Sequence, residues 1–68
     1  MNQKKTLEIS GCPHLPLTVG MPAFIVEADG FRKTSTVLSI ERHSQTELAF
    51  ETQNTMYLLH LQPIGGRL

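Results

Sequence analysis

Cys12-Pro13-His14 places a thiol and an imidazole two residues apart and is the first place to look for chemistry in this sequence. A structural zinc site needs four nitrogen or sulfur ligands, usually in paired spacings. The chain has one cysteine and three histidines, and the other two, His43 and His60, fall on different segments. A proline beside the thiol supplies no charge that would activate it. We therefore predict an ordinary thiol, no metal site and no cofactor.

The residue types of a catalytic triad are present in this chain, but their sequence context does not indicate that they converge. Ser10 or Cys12 would be the nucleophile, His14 or His60 the base, and Glu8 the orienting acid. No G-x-S-x-G turn surrounds these residues, and no glycine-rich phosphate loop is present. A chain of 68 residues also leaves little room for a substrate cavity of several hundred Å3. We predict that the protein is not an enzyme and has no catalytic residues.

Binding is the more natural activity for such a chain, and one group of residues suits it. Single-stranded nucleic acids stack on aromatic rings that lie beside cations. The candidate partner-binding residues are Phe31, Arg32, Lys33, Arg42 and His43. However, Arg32 and Arg42 lie at opposite ends of one predicted strand, ~30 Å apart if that strand is straight. The alternative is that these are only solvated charges in turns. We predict a protein partner and keep a nucleic-acid partner as the alternative.

The composition describes one small domain, residues 1–68. The chain has a mass of 7.6 kDa, 40% apolar residues and a formal net charge of zero, which weakens nonspecific binding to phosphates. No apolar run reaches the ~18 residues that a membrane span needs. The N-terminal residues lack the apolar stretch of a signal peptide, and the single cysteine fits a reducing compartment. We expect a cytoplasmic protein that does not enter membranes.

The pattern of apolar residues predicts extended chain throughout. Alternation and β-branched residues indicate five strands, at 5–10, 23–28, 31–41, 47–52 and 55–62. The segment 11–22 contains three prolines, and we expect it to be a loop whose apolar residues pack onto the core. The tail 63–68 breaks the pattern and is predicted to fray.

The same pattern predicts two turns and assigns residues to the two faces of the third strand. Asp29-Gly30 predicts a tight turn with positive φ between antiparallel strands, and Gln53-Asn54 predicts a second hairpin. Within the predicted third strand, Thr34, Thr36, Leu38 and Ile40 share one face. Lys33, Ser35, Val37 and Ser39 share the other.

The second half of the chain also admits a helix. Ser44 and Glu47 have the spacing of a capping box, with a hydroxyl three residues before a carboxylate. A helix near residues 45–60 would give an α+β fold. Weak helix formers at Thr46, Thr52 and Asn54 oppose it. We favour strands and keep this helix as the alternative.

Five short strands predict an all-β fold, a small five-stranded antiparallel open barrel. The chain resembles small bacterial SH3-like β-barrel proteins of unassigned function. The resemblance covers residues 17–62. It rests on Val19-Gly20, the strand Ala23–Ala28, the Asp29-Gly30 hairpin, and the strands Thr34–Ile40 and Glu51–Leu59, with the runs Lys33–Val37 and Glu51–Tyr57. It implies an SH3-like fold and no particular activity.

The predicted strand from Met56 to Leu61 is apolar on both faces, except at His60. A strand with one solvent-exposed face should alternate apolar and polar residues, so we expect both faces of this strand to be covered. The prolyl loop is one possible cover, and a second subunit is the other. Because so small a core gains stability from association, we predict a homodimer.

Overall fold

A computed structural model describes residues 4–62, and these residues form six strands and no helix. The strands are β1 (Lys5–Pro13), β2 (Pro22–Glu27), β3 (Gly30–Thr36), β4 (Ser39–Arg42), β5 (Glu47–Glu51) and β6 (Thr55–Leu61). The all-β prediction is confirmed. The alternative helix near 45–60 is wrong, because β5 and β6 occupy that stretch. The predicted frayed tail, 63–68, lies outside the described residues.

The strands form one open sheet in the order β3-β2-β1-β6-β5-β4. Four of the five neighbouring pairs are antiparallel, but β1 and β6 run parallel from Lys5↔Thr55 to Gly11↔Leu61. The prediction of a wholly antiparallel sheet is therefore wrong. A parallel pair needs a long connection between its strands, and here the other four strands supply it.

β1 joins the two halves of the sheet. Its first seven residues pair with β6, and its end pairs with β2 through Cys12↔Val26 and Pro13↔Ile25. At this transition the backbones come very close, because a Cβ built on Gly11 would lie 2.4 Å from the carbonyl oxygen of Val26. Glycine is thus the residue that fits there.

The predicted strand 31–41 breaks at Val37 and Leu38, and so the sheet has six strands where five were predicted. The buried Val37 exchanges hydrogen bonds with the chain that precedes β2: its N–H donates to Met21 (2.9 Å), and its carbonyl accepts from Gly20 (2.8 Å). The N–H of Leu38 then donates to Glu51 at the end of β5 (2.7 Å).

The break also changes which side chains share a face. Thr34 and Val37 are both buried although they were assigned to opposite faces, whereas Thr36, Leu38 and Ile40 are exposed. The predicted division into two faces is therefore wrong beyond Thr34. A one-residue irregularity in a strand moves each side chain that follows it to the opposite face of the sheet.

The two predicted hairpins form, but the first turn differs from its prediction. Glu27 pairs with Gly30, so the two loop residues are Ala28 and Asp29. Gly30 does not have a positive φ; among the described residues that conformation occurs only at Gly20, at 95°. Gly20 takes the third position of a turn that the N–H of Met21 closes on Thr18 (3.1 Å), where a positive φ is required.

The core lies on one face of the curved sheet. Its buried members are Ile9, Ala23, Ile25, Val37, Leu48, Phe50 and Leu59. The Phe50 and Tyr57 rings stack beside it, with centroids 4.7 Å apart. Of the loop residues expected to pack inward, Leu17 reaches the core, but Leu15, Val19 and Met21 are more than half exposed. That expectation is therefore wrong for most of the loop.

Candidate binding surfaces

An apolar and aromatic surface lies on the outer side of β2 and β3. The alternation that buries Ala23 and Ile25 directs Phe24 outward. The antiparallel register pairs Phe24 with Lys33 and places Phe31 two residues away on the same face. The turn before β2 adds loop side chains to this surface. We define the aromatic patch as His14, Leu15, Met21, Phe24, Phe31 and Lys33.

The three rings and the ammonium group of the aromatic patch pack against one another. The rings of Phe24 and Phe31 stack with centroids 6.0 Å apart, and the His14 ring meets Phe31 edge-on at 6.3 Å. The Lys33 ammonium lies 5.8 Å from the centre of the Phe24 ring, within the range of a cation–π contact. Phe31 is nevertheless 59% exposed, and Leu15 and Met21 are 55% and 54% exposed. These exposed surfaces are available to a partner.

A shallow cavity opens beside the aromatic patch. It has a volume of about 260 Å3, and its lining is Leu15, Pro16, Thr18, Met21, Pro22 and Phe24. The lining is mostly apolar, and each of its two prolines fixes its own backbone φ. A cavity of this size can accept one large apolar side chain of a partner.

Only two of the five predicted binding residues, Phe31 and Lys33, belong to the aromatic patch. Arg32 alternates to the core side of β3, where its guanidinium pairs with the carboxylate of Glu27. The hydrogen bond to Glu27 raises the pKa of Arg32 above its ordinary value, against an opposing effect of burial. This ion pair neutralises Arg32, so it adds no net charge for a ligand.

Arg42 and His43 lie at the other end of the sheet and maintain a turn. The Arg42 guanidinium donates hydrogen bonds to the carbonyls of Ser44 (2.9 Å) and Gln45 (3.2 Å). His43 Nε2 lies 3.9 Å from the Glu41 carboxylate. Arg32 and Arg42 belong to β3 and β4, the two end strands of the sheet, so the assumption of one continuous strand was wrong. The five predicted residues do not form one site.

A second cavity, of about 300 Å3, lies along the core side of β4. We call it the β4 groove; its lining is Pro13, Pro16, Leu17, Ile40, Arg42, Leu48 and Leu61. It marks the gap between the end strand β4 and the prolyl loop, where the open sheet leaves an apolar surface uncovered.

The outer side of β1, β6, β5 and β4 is acidic around an apolar centre. The registers bring Met56, Leu58 and Ala49 together and place four carboxylates around them. We define the glutamate face by Glu8, Glu41, Glu47 and Glu51. His60 lies between two of these carboxylates, 2.5 Å from Glu8 and 3.6 Å from Glu47, and Lys4 pairs with Glu51. The prolyl loop is on the opposite side of the sheet, so it does not cover this face of β6.

Sequence reasoning missed most of the aromatic patch. Leu15 and Met21 were assigned to the core because loop apolar residues usually pack inward. The alternation of side chains along β2 indicates where Phe24 lies. Ala23 and Ile25, on either side of Phe24 in sequence, are buried on one face of the strand, so Phe24 lies on the other face. The sequence suggests His14 as a metal ligand or a catalytic base, whereas in the structure its backbone N–H donates to the Phe24 carbonyl (2.8 Å) and its ring lies beside Phe31.

Among residues 4–62, no group of three His, Cys, Asp or Glu side chains is placed to hold a metal ion. Cys12 is half-buried, and its Sγ lies 3.6 Å from the Pro13 carbonyl oxygen. The described part of the chain contains no helix of the length and apolar character that spans a membrane.

Comparison of the chain with protein-family models, with curated proteins and with solved structures gave no match.

Proposed function

We propose that this protein is a small non-enzymatic binding protein that recognises another protein through the aromatic patch. The observation that carries the proposal is the exposure of Phe31, Leu15 and Met21 around Phe24 on one surface. Aromatic and methionine side chains are enriched in the cores of protein interfaces. Burying one such side chain contributes ~1.5–3 kcal/mol, so a few of them suffice for a specific contact.

The shape of the surface favours a partner segment with a projecting apolar side chain. The cavity beside Phe24 accepts that side chain, while the edge of β3 that no strand within residues 4–62 pairs with can bind an extended backbone. Pairing of this kind uses backbone donors and acceptors, so no sequence motif is needed in the receptor.

The resemblance to SH3-like barrels belongs to the same proposal. Short strands, an open sheet and a strand, β1, that pairs with both halves of the sheet support it. We also propose a cytoplasmic location, as the single free cysteine suggests, and a homodimeric state, because a core of seven buried apolar residues is small.

The test is a pull-down from native lysate with the wild-type chain, a Phe31→Ala variant and a Val19→Ala control. Val19 is 57% exposed but lies outside the patch and the cavity lining. We expect a nuclease-resistant protein partner that Phe31→Ala loses and Val19→Ala retains. Equal capture by all three would contradict a role for the patch.

A nucleic-acid partner is the second candidate, favoured by the position of Lys33 next to the exposed Phe31 ring. Bases can stack on such a ring while the ammonium contacts a phosphate. A mobility-shift assay with a single-stranded oligonucleotide of twenty thymidines at low salt tests it. Charge-driven binding is strongest at low salt, so the absence of a shift there excludes this candidate.

A further inference from the structure

β4 presents an unpaired edge at one end of the sheet. Its four residues, Ser39–Arg42, are all exposed, and β5 is the only described strand that pairs with it. Edge strands with free backbone groups and exposed apolar side chains are templates for pairing with another chain. Ile40 in β4 and Leu38 just before it are such side chains.

The alternation of hydrogen-bonded pairs between β4 and β5 shows which backbone groups of β4 are free. The N–H of His43 donates to the Glu47 carbonyl (3.0 Å), directly opposite in the register. Hydrogen-bonded pairs alternate along an antiparallel ladder, so Ser39 and Glu41 also direct their backbone groups toward β5. The N–H and carbonyl groups of Ile40 and Arg42 therefore point away from the sheet.

We infer that the protein forms a homodimer by antiparallel pairing of β4 with β4 of a second copy, with the two-fold axis at Ile40. This inference rests on the proposed homodimeric state and specifies its interface. The free groups of Ile40 meet those of Ile40 in the second copy and exchange two hydrogen bonds. The Arg42 N–H can donate to the Leu38 carbonyl of the second copy, but that pair has a single hydrogen bond because the Leu38 N–H already donates to Glu51 (2.7 Å).

Charge selects this register over the neighbouring one. With the axis at Ile40, Glu41 lies opposite Ser39 of the second copy. Within each chain the Ser39 hydroxyl donates to the Glu51 carboxylate (3.1 Å). With the axis at Glu41, two carboxylates would lie directly opposite each other, which is destabilising. That register would also need backbone groups that β5 already occupies. Charge and hydrogen-bond phase thus agree on Ile40.

The same reasoning rules out the glutamate face as the dimer interface. A two-fold contact there would bring Glu8, Glu41, Glu47 and Glu51 against their own copies, and within residues 4–62 the side chains that pair with them are Lys4, His43 and His60. Pairing at β4 instead extends the sheet and joins the β4 grooves of the two copies. It leaves the aromatic patch, at the other end of the sheet order, open to a partner.

The register can be tested by disulfide trapping in a Cys12→Ser background. Ser39→Cys and Glu41→Cys are purified separately, mixed and oxidised. In the proposed dimer these positions form a non-hydrogen-bonded pair with Cα atoms ~4.5 Å apart, a separation that a disulfide can bridge. Each variant alone places its two cysteines ~8 Å apart, beyond disulfide reach. We expect a mixed disulfide from the mixture and only background from each variant alone.

Light scattering of the unmodified chain tests the dimer separately from the β4 register. We expect twice the 7.6 kDa chain mass at millimolar concentration. A mass of one chain would overturn the dimer itself. A dimer mass without the mixed disulfide, or a disulfide from Glu41→Cys alone, would overturn only the β4 register.

An Ile40→Pro variant tests the edge without cysteines. The Ile40 N–H points away from β5, so proline is tolerated within its own sheet but removes a hydrogen bond of the dimer. We expect a folded monomer, with its fold checked by amide NMR spectra. Phe31→Ala, which alters only the aromatic patch, should remain dimeric; a dimeric, folded Ile40→Pro variant contradicts the proposal.

Discussion

A methyl group on Gly11 has no space, because β1 crosses from β6 to β2 at this residue. The added Cβ would lie 2.4 Å from the Val26 carbonyl oxygen and 3.0 Å from Ile25 Cγ2. We predict that Gly11→Ala lowers the free energy of unfolding by about 1–3 kcal/mol, the usual cost of overpacking a core. Urea denaturation measures this change.

Gly30 provides the matched control for that substitution. A Cβ there would meet no atom within 4 Å, and Gly30 does not have a positive φ. Gly30→Ala should therefore leave the unfolding midpoint nearly unchanged. Equal losses from the two substitutions would mean that the close approach at Gly11 is not what makes that position sensitive.

Glu51 should make stability depend on pH in the acid range. Hydrogen bonds from Lys4 and then Ser39 lower the pKa of Glu51 below its ordinary value. A lowered folded-state pKa contributes stability above the unfolded pKa of about 4.5, and this stability is lost as pH falls through the folded pKa. We predict that Glu51→Gln flattens the decline of the melting temperature below about pH 4.5.

Lys4→Met tests the same contact from its other partner. It should also flatten the acid decline, and the double variant should flatten it little further, because both substitutions remove one interaction. Additive effects would show that Glu51 and Lys4 act independently.

At the residue scale, the sequence identifies only part of the proposed binding surface. Phe31 and Lys33 were found because they follow a turn. Arg32 stands between them in sequence but alternates to the opposite face, where Glu27 neutralises it. That pairing depends on the register with β2, and no local pattern reveals which carboxylate lies within reach.

At the scale of the elements, a hydroxyl repairs the irregular pairing of β2 and β3. The register shifts between Pro22 and Phe24, and the Ala23 N–H donates to Thr34 Oγ1 (3.0 Å). The Thr34 hydroxyl in turn donates to the Ser35 carbonyl (2.7 Å). We predict that Thr34→Val costs about 1–3 kcal/mol in the free energy of unfolding, because it leaves a buried N–H without a partner.

Thr36→Val is the control within the same strand. Thr36 is exposed, so the same exchange of hydroxyl for methyl should change the unfolding free energy by less than about 0.5 kcal/mol. Chemical denaturation of both variants decides between a hydrogen-bonding role and a general effect of valine in β3.

Hairpins were predictable and long-range pairing was not. The strands on either side of 28–29 and of 53–54 pair because short turns join alternating segments, and both features can be recognised in the sequence. The parallel contact of β1 with β6 joins Lys5 to Thr55, and nothing near either residue encodes it. The break at Val37 was likewise invisible, because β-branched residues continue through it.

At the scale of the whole molecule, the proposed partner-binding surface and the proposed dimer edge lie apart in the sheet. The aromatic patch occupies β2 and β3, the proposed dimer edge is β4, and the glutamate face spans the strands between them. This separation allows a dimer to display two partner-binding surfaces at once. Two linked sites raise the effective affinity for a repeated partner without any new contact.

The same topology predicts that β1 is the last strand to be secured during folding. The hairpin of β2 and β3 closes a two-residue loop, whereas β1 must find β6 about 50 residues later, at a larger cost in chain entropy. We predict that Ile9→Val in β1 mainly raises the unfolding rate. Ile25→Val in β2 removes the same methyl group from the core and should mainly slow folding.

Stopped-flow folding and unfolding in urea measures both rates for the two variants. Each substitution should destabilise by about 0.5–1.5 kcal/mol, which is large enough to partition between the two rates. A slower folding rate in Ile9→Val would mean that the parallel pair already forms in the transition state. In that case the long connection, and not the local hairpin, would organise the folding of this sheet.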